Sequence, residues 1–245
     1  MSTWELWASL AVLALAACTQ GMFGLGFTMV ATPLLALFLN YRAAVFLAAT
    51  PLLVLAWFWL IRNRGILRSA RVPWVLLPSI VAGASAGVAL QFALSQRLAL
   101  LLLAALLAFS VALPWGLQRW RTDLSARALR AAPVFGVLAG LTESALNVGA
   151  PFMVLFGGVA RLTRQQQLIA LNLCFAAGKL IQIGLLLPVA GLPVPLWALI
   201  PCIAVSLLFY LAGDHFAGRY SEESFRRLLV GFLVAIVLAL LVKAF

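Results

Sequence analysis

Long apolar segments are the feature that most restricts how this chain can fold. The first runs over residues 4–39, and others follow one another as far as residue 242. A helix needs about 20 predominantly apolar residues to cross a bilayer, and several of these segments reach that length. With 65% hydrophobic residues, 9% charged residues and a mean hydropathy of +1.13, the chain is predicted to be an all-α polytopic membrane protein with a single membrane domain over residues 1–245.

The net charge of +11 does not indicate nucleic-acid binding. Most basic residues lie in short connections or at segment ends, where they set membrane topology, and no basic block with interleaved aromatic residues lies outside the membrane segments. The cysteines Cys18, Cys174 and Cys202 lie in apolar segments without C-x-x-C spacing. We therefore expect no disulfide framework, no metal site and no cofactor.

Two apolar segments are interrupted by small and polar residues, one in each half of the chain. Residues 4–39 are broken near Gln20-Gly21 and at Gly24-Leu25-Gly26, and residues 131–160 are broken at 140–151, which reads GLTESALNVGAP. Irregular backbone at membrane depth is tolerated only where protein or a wet cavity satisfies its amides. We therefore expect two helical hairpins, each made either of two crossings or of two half-helices that meet at a tip. Uninterrupted spans are expected at residues 43–61, 73–94, 98–118, 165–187, 194–213 and 228–242, with loops at 40–42, 62–71, 119–130, 161–164 and 214–227 and turns at 96–97 and 188–193.

The two halves follow one plan, in which a broken helical hairpin is followed by three transmembrane helices. Repeat 1 covers residues 1–118 and repeat 2 covers residues 131–245, with residues 119–130 as a cytoplasmic linker. The matches that support this internal duplication occur in the same order in both halves: Gly21 with Gly140, Pro33 with Pro151 to within one residue, Val72-Pro73 with Val194-Pro195, Pro78 with Pro201, and Ala86-Gly87 with Ala212-Gly213.

The distribution of basic residues predicts how the repeats are oriented. If each hairpin begins and ends on the same side, thirteen arginines of the connections share one side, and the other side holds only Arg42, Arg97 and Lys243. The positive-inside rule favours this arrangement over one in which each hairpin counts as a single span. It places both termini outside and gives the two repeats inverted topology, a common construction in secondary transporters.

Both hairpin tips contain residues that could bind an anion. A helix that begins inside the membrane directs free N–H groups and the positive end of its dipole at whatever is bound there. The alternative is close helix packing through small residues. The candidate binding residues are Gly24, Gly26, Thr28 and Thr32 at the first tip, and Thr142, Ser144, Asn147 and Gly149 at the second.

Lys179 is the second candidate focus, because it lies near the middle of the span at 165–187. Asn172 lies on the same helical face, and Gln182 follows one turn later. An ammonium at that depth usually lines a substrate or ion path, although a lysine can also extend its head group to the membrane interface. The matching positions of the first repeat hold Thr50 and Trp57, so we expect an asymmetric site.

Glu143 is a candidate proton carrier, since a carboxylate in a low-dielectric site can take up a proton near neutral pH. The alternative is a salt bridge to Lys179, in which Glu143 would stay ionised and be structural. Both readings fit the sequence. His215 and Asp214 lie together at a span end, where we expect them to anchor a loop rather than to catalyse a reaction.

The chain resembles the sulfite exporter TauE/SafE family, also called the toluenesulfonate uptake permease family, over nearly its whole length. The resemblance implies a permease of the cytoplasmic membrane for small anions, often sulfite or organosulfonates, driven by an ion gradient. Phe27, Thr28, Ser144, Ala145 and Asn147 stand where glycine is common in the family. The residues that carry the resemblance are Gly21-Met22-Phe23-Gly24-Leu25-Gly26 leading to Pro33-Leu34-Leu35, residues 136–140 leading to Gly149-Ala150-Pro151, and the ending 213–229.

Four classes of function are compatible with a polytopic membrane protein. A secondary transporter of small anions, with a proton or sodium as coupling ion, predicts that Lys179, Glu143 and both tips converge near the midplane. A channel would need a continuous polar path, yet only one span has a polar face. An intramembrane enzyme would need paired nucleophile and base or metal ligands at depth, which the spans lack, and a scaffold would need no buried charges. We therefore predict a non-enzymatic anion transporter of the inner membrane, with a homodimer left open.

Overall fold

The computed structural model describes residues 1–69, 74–119, 125–217 and 222–244, and within these ranges the chain consists of α-helices and short connections. The all-helical prediction is confirmed. The helices of the first half are α1 (Thr3–Phe23), α2 (Phe27–Phe38), α3 (Tyr41–Arg62), α4 (Arg64–Ser69), α5 (Leu76–Ala93) and α6 (Gln96–Arg119). Those of the second half are α7 (Ser125–Leu146), α8 (Ala150–Val159), α9 (Arg164–Ala190), α10 (Leu196–Phe216) and α11 (Glu222–Ala244).

Helix lengths separate the spanning helices from the second arms of the hairpins. Within the described ranges, five helices are long and apolar enough to cross a membrane: α1, α3, α5, α9 and α10. The second arms of the hairpins, α2 and α8, have only 12 and 10 residues. At 1.5 Å per residue they extend about 18 and about 15 Å, roughly half of the hydrocarbon core. Neither hairpin therefore makes two full crossings.

Glycines bring α5 and α7 into direct backbone contact. A Cβ atom added at Gly83 would collide with the carbonyl oxygen of Val137, and one added at Gly87 would collide with that of Leu141. Small residues allow membrane helices to approach this closely. From Gly83 to Gly87 the contact moves one turn along α5, and its partner moves one turn in the same sense along α7, from Val137 to Leu141. The two helices therefore run in the same direction.

A second close contact joins α1 to α10. Gly21 lies against the carbonyl oxygen of Tyr210, and Gly213 lies against that of Cys18. Between these two helix pairs, α3 packs against α9, and the flanking contacts α5–α9 and α10–α3 complete the centre of the molecule. At the periphery α6 packs against α11.

Several helices extend into segments that we predicted as loops. Residues 125–130 of the predicted linker belong to α7, and Arg119 ends α6. The sequence of this part of α7, SARALR, consists mainly of strong helix formers, so the helix continues beyond the apolar segment. The remainder of that linker, residues 120–124, lies outside the described residues.

Charge and proline were likewise poor indicators of the other boundaries. Part of the predicted loop at 62–71 forms α4, the loop at 214–227 is shortened by the ends of α10 and α11, and Tyr41 is the first residue of α3 rather than part of a loop. The predicted turn at 188–193 begins late, because α9 continues through Pro188 and ends at Ala190. There the C-cap Gly191 has a φ of 68°, a positive value that glycine adopts without steric cost.

Candidate functional site

The candidate site is formed where the tip between α7 and α8 meets the middle of α9. At this tip α7 ends at Leu146, Asn147 adopts a φ of 59°, and Gly149 is the N-cap of α8. A left-handed residue reverses the chain within a few residues, and asparagine tolerates that conformation better than most side chains. The tip cluster, as we name it, comprises Glu143, Ser144, Asn147, Lys179 and Gln182, whose side chains are all fully buried.

Lys179 lies at the centre of the tip cluster, and its ammonium is surrounded by oxygen atoms. Its Nζ lies 2.7 Å from Glu143 Oε1 and donates to the main-chain oxygen of Glu143 at 2.8 Å. It also donates to Asn147 Oδ1 at 2.5 Å and to Gln182 Oε1 at 2.9 Å. Lys179 therefore does not extend to the membrane interface; its charge is held inside the protein.

The carboxylate of Glu143 connects Lys179 to the start of α8. One oxygen, Oε1, forms the ion pair with Lys179, and the other, Oε2, accepts a hydrogen bond from the N–H of Gly149 at 2.7 Å. The N-terminal N–H groups of a helix favour a negative charge. Glu143 thus places its own anion at the helix start that the sequence predicted as an anion site, and of the two readings of this residue the observed geometry is the salt bridge.

Asn147 links the tip cluster to the other half of the molecule. While its Oδ1 accepts from Lys179, its Nδ2 donates to Thr32 Oγ1 of α2 at 3.0 Å and to the main-chain oxygen of Val45 in α3 at 2.9 Å. Tyr41 makes a parallel connection, since its hydroxyl donates to the main-chain oxygen of Ala145 at 2.9 Å. The second tip is therefore held against α2 and the start of α3.

Ser144 and Gln182 close the remaining side of the cluster. Gln182 Nε2 donates to the main-chain oxygen of Ser144 at 2.7 Å, and Ser144 Oγ donates to the main-chain oxygen of Gly178 at 3.3 Å. Buried polar groups need such partners, because an unpaired one costs roughly 1–3 kcal/mol. The network fixes the distance between α7 and α9 around Lys179.

The first tip is built on the same plan with a neutral side chain. Gln20, one turn before the end of α1, accepts from the N–H of Phe27 at 3.2 Å through Oε1 and donates to the main-chain oxygen of Gly24 at 3.1 Å. Gly24 and Gly26 have φ angles of 77° and 111°, which favour glycine. Gln20 therefore caps α2 as Glu143 caps α8.

The predicted site residues divide into two groups. Lys179, Gln182, Glu143, Ser144, Asn147, Gly149 and Thr32 come together in one hydrogen-bonded network. Asn172 instead donates to Leu168 of its own helix, and Thr142 to Leu138 and Ala139 of its own helix. Gly24 and Gly26 shape the first tip, and Thr28 is buried in the first turn of α2. In the described part of the chain, no hydrogen bond joins these five residues to Lys179.

Sequence reasoning missed three residues that support the hairpins. Gln20 was identified only as part of a break in the first apolar segment, and its capping role was not predicted. Tyr41 was hidden by its assignment to a loop. Lys243 was counted only as a charge outside the membrane, but its Nζ donates to the main-chain oxygens of Ala36 at 2.6 Å and Leu39 at 3.4 Å, and so caps the C-terminal end of α2.

Two other features lie apart from the tip cluster. Asp214 forms an exposed ion pair with Arg62 at 2.7 Å, which joins α10 to α3, and His215 contacts the ring of Phe216.

A cavity of about 600 Å³ lies between α3, α4, α5 and α9. It is lined by apolar residues such as Trp57, Leu173 and Leu180, with Arg64 as the charged exception. On α9 these residues lie on the face opposite Lys179 and Gln182, so the cavity is not part of the cluster.

Chemically, the tip cluster combines one buried charge pair with neutral hydrogen-bonding groups. It provides one ammonium, one main-chain N–H at a helix start and two amide side chains around one carboxylate. Across the described residues, no group of three or more His, Cys, Asp and Glu side chains is arranged to hold a metal ion.

Comparison with known proteins places the chain in a family. Neither the curated proteins nor the solved structures contain a match to it. The family model described as sulfite exporter TauE/SafE matches residues 9–240, nearly the whole chain. That range includes both hairpin tips and every member of the tip cluster. The chain therefore belongs to the sulfite exporter TauE/SafE family of membrane transporters.

Proposed function

We propose that this protein is a secondary transporter that moves small anions such as sulfite, organosulfonates or related organic acids across the cytoplasmic membrane. The observation that carries this proposal is the buried ammonium of Lys179, set beside the N-terminal end of a helix that begins inside the protein. A charge at such depth is costly and is kept where a substrate or ion path needs it. The family membership supports the same class of function.

Inverted repeats are part of the proposal, and helix directions support them. If consecutive spanning helices alternate in direction and each hairpin returns to its side of entry, α5 runs opposite to α1. Because α7 runs parallel to α5, it runs opposite to α1, its counterpart in repeat 1. The packing of the helices supports the same arrangement. If each helix of repeat 1 is exchanged for its counterpart in repeat 2, the α5–α7 contact becomes the α10–α1 contact. The α3–α9 and α6–α11 contacts each join a helix to its own counterpart.

In this proposal the binding site is the tip cluster, and the first tip completes it. Lys179 supplies the charge that attracts the anion, Asn147, Gln182 and Ser144 supply neutral polar groups, and the N–H of Gly149 supplies the end of the α8 dipole. Thr32 extends the site to α2 through its contact with Asn147. Glu143 is the group that we propose to carry the coupling proton. Gly24, Gly26, Thr28, Thr142 and Asn172 are proposed to line the path or to shape the tips.

Binding and transport of anions test this function directly. Purified protein is screened by thermal unfolding with sulfite, methanesulfonate and acetate, and reconstituted protein is assayed for uptake of the anion that stabilises it. Lys179→Met should abolish the anion-induced rise in the unfolding temperature. Lys243→Met is the matched control, because it removes a lysine that caps α2 away from the cluster and should leave the anion-induced rise intact. An equal rise in wild type and Lys179→Met would exclude Lys179 as the binding group.

Orientation is tested separately by attaching a membrane-impermeant thiol reagent to a cysteine introduced near either terminus. We propose that both termini lie outside and the arginine-rich connections inside. Labelling from the cytoplasmic side alone would contradict this orientation.

A further inference from the structure

The carboxylate of Glu143 occupies both positions that an anionic substrate would need. One of its oxygens lies 2.7 Å from the ammonium of Lys179, and the other accepts the N–H of Gly149 at 2.7 Å. Both side chains are fully buried. An anion can reach these two donors only after the carboxylate has left them.

Comparison of the two tips indicates that capping alone does not require this negative charge. Gln20 and Glu143 each lie one turn before the end of the first hairpin arm, and each accepts an N–H at the start of the second arm. Gln20 achieves this with a neutral amide. The charge of Glu143 therefore has a role beyond capping α8, and its ion-pair partner is Lys179.

We propose that Glu143 is a built-in substitute for the substrate: an incoming oxyanion displaces its carboxylate from Lys179 and Gly149, and Glu143 leaves by taking up one proton. This inference rests on the proposed function. In the step, a proton from the aqueous phase bonds to a Glu143 oxygen, and the anion takes over the ion pair and the N–H contact. No other bond changes.

Charge balance is the physical reason for the proton. The empty cluster contains one ammonium and one carboxylate and is neutral. When a monoanion is bound, Glu143 is protonated and neutral, and the positive charge of Lys179 balances the charge of the anion. An anion bound beside an ionised Glu143 would instead leave one uncompensated buried charge, which is strongly unfavourable. The coupling ratio that follows is one proton for each bound monoanion.

The surroundings of Glu143 favour a proton over a sodium ion. Four oxygen atoms, from Glu143, Asn147 and Gln182, are already directed at the ammonium of Lys179, so a cation bound by them would lie against a like charge. Among the described residues, the other titratable groups nearby are the Cys174 thiol of α9, which interacts electrostatically with both members of the pair, and the Tyr41 hydroxyl of α3, which is bonded to Ala145. Neither adds a charge in its ordinary form.

The geometry also defines the substrate class. The carboxylate of Glu143 bridges the Lys179 ammonium and the Gly149 N–H with two oxygens on one carbon. A substrate that takes its place must likewise have two oxygens on one central atom, as in sulfite, sulfonates and carboxylates. A monatomic anion such as chloride can contact only one donor at a time. We therefore expect discrimination between oxyanions and halides at this site.

The test compares wild type with Glu143→Gln, using methanesulfonate, acetate and chloride as probes. Methanesulfonate is chosen because it stays a monoanion between pH 5 and pH 8, so any pH dependence comes from the protein. In wild type, its apparent Kd should fall by up to about tenfold for each unit that the pH is lowered, as expected when one proton is bound with the anion. In Glu143→Gln, binding should be independent of pH and at least as tight as in wild type at pH 5.

Transport gives a second readout. Glu143→Gln should still exchange labelled methanesulfonate for unlabelled methanesulfonate across proteoliposomes, but it should lose accumulation driven by a pH gradient. Glu5→Gln makes the same chemical change at a partly exposed residue in the first turn of α1 and should behave as wild type in both assays.

The outcomes separate this inference from the proposed function. If wild type binds methanesulfonate with a pH-independent Kd, or if Glu143→Gln keeps the pH dependence, Glu143 is not displaced while anion transport stands. Chloride binding as tight as methanesulfonate binding would overturn the two-oxygen requirement. If no probe binds to either protein, the proposed function fails and the inference fails with it. The wild-type pH series needs no variant, so the test does not depend on the folding of Glu143→Gln.

Discussion

Replacing Lys179 by methionine should destabilise the protein more than almost any other single change to its polar residues. The substitution preserves most of the side-chain volume but removes the ammonium that four oxygen atoms surround. Glu143 would then keep only the Gly149 N–H as a partner for a buried charge. Removing one partner of a buried ion pair typically costs about 3–5 kcal/mol, so we expect a loss of that size in the free energy of unfolding.

The partner substitution, Glu143→Gln, should cost less. The amide can still accept the Gly149 N–H, as Gln20 accepts the Phe27 N–H, and Lys179 keeps its three neutral acceptors. What disappears is the counter-charge of a buried ammonium, so we expect a cost at the lower end of the about 3–5 kcal/mol that removal of one partner of a buried ion pair typically causes. The double variant contains no buried charge in the cluster, so its total cost should lie below the sum of the single costs by about 1–3 kcal/mol.

This double-mutant cycle is measured by unfolding purified protein with SDS in mixed micelles. Unfolding is monitored through the fluorescence of the eight tryptophans. The single and double variants are compared at pH 7.5, and wild type is unfolded with SDS in parallel. Additivity of the two substitutions to within about 0.5 kcal/mol, as found for independent sites, would refute the energetic coupling of Glu143 and Lys179. A cost below about 1 kcal/mol for Lys179→Met alone would show that the ammonium is not desolvated as its burial indicates.

Three further predictions concern the frame around the site. Gly83→Ala should destabilise the α5–α7 contact by about 1–3 kcal/mol, because the new Cβ meets the carbonyl of Val137; Gly184→Ala on α9, where the Cβ meets open space, is the control and should not lower the unfolding temperature. Tyr41→Phe should cost about 0.5–1.5 kcal/mol in SDS unfolding through loss of its bond to Ala145, and no loss would show that this bond does not hold the second tip. Arg62→Ala should change stability by less than about 1 kcal/mol, because its ion pair is exposed, and a larger loss would identify it as a latch between α3 and α10.

The tip cluster shows how far local sequence could identify the site. Glu143, Asn147 and Lys179 were predicted because polar residues inside apolar segments are costly and are retained only for a reason. Asn172 and Thr142 satisfied the same criterion, yet each bonds to its own helix. Side chains of this kind can satisfy themselves within one turn, so polarity and helical face alone do not distinguish a site residue from one that is locally satisfied.

Helix boundaries were predictable where composition changed sharply and not elsewhere. The start of α8 was indicated by Gly149 and Pro151, because proline suits the first turn of a helix. The start of α7 at Ser125 was missed, because arginines were taken as signs of a loop. Helices extend beyond the membrane wherever helix-forming residues continue, and charge marks the membrane boundary rather than the helix end.

The sequence alone determined that the chain is helical, that it lies in a membrane, and that both halves contain a broken hairpin, because these properties follow from the length and composition of each segment taken separately. Only the tertiary structure decided that Glu143 and Lys179 form a pair, since the ion pair depends on how α7 crosses α9. It also decided that Gln20 and Glu143 play equivalent capping roles and that α2 ends against Lys243. The contacts of Lys179 with Glu143 and of Lys243 with α2 join residues far apart in the chain, and no local sequence pattern encodes how closely two helices pack.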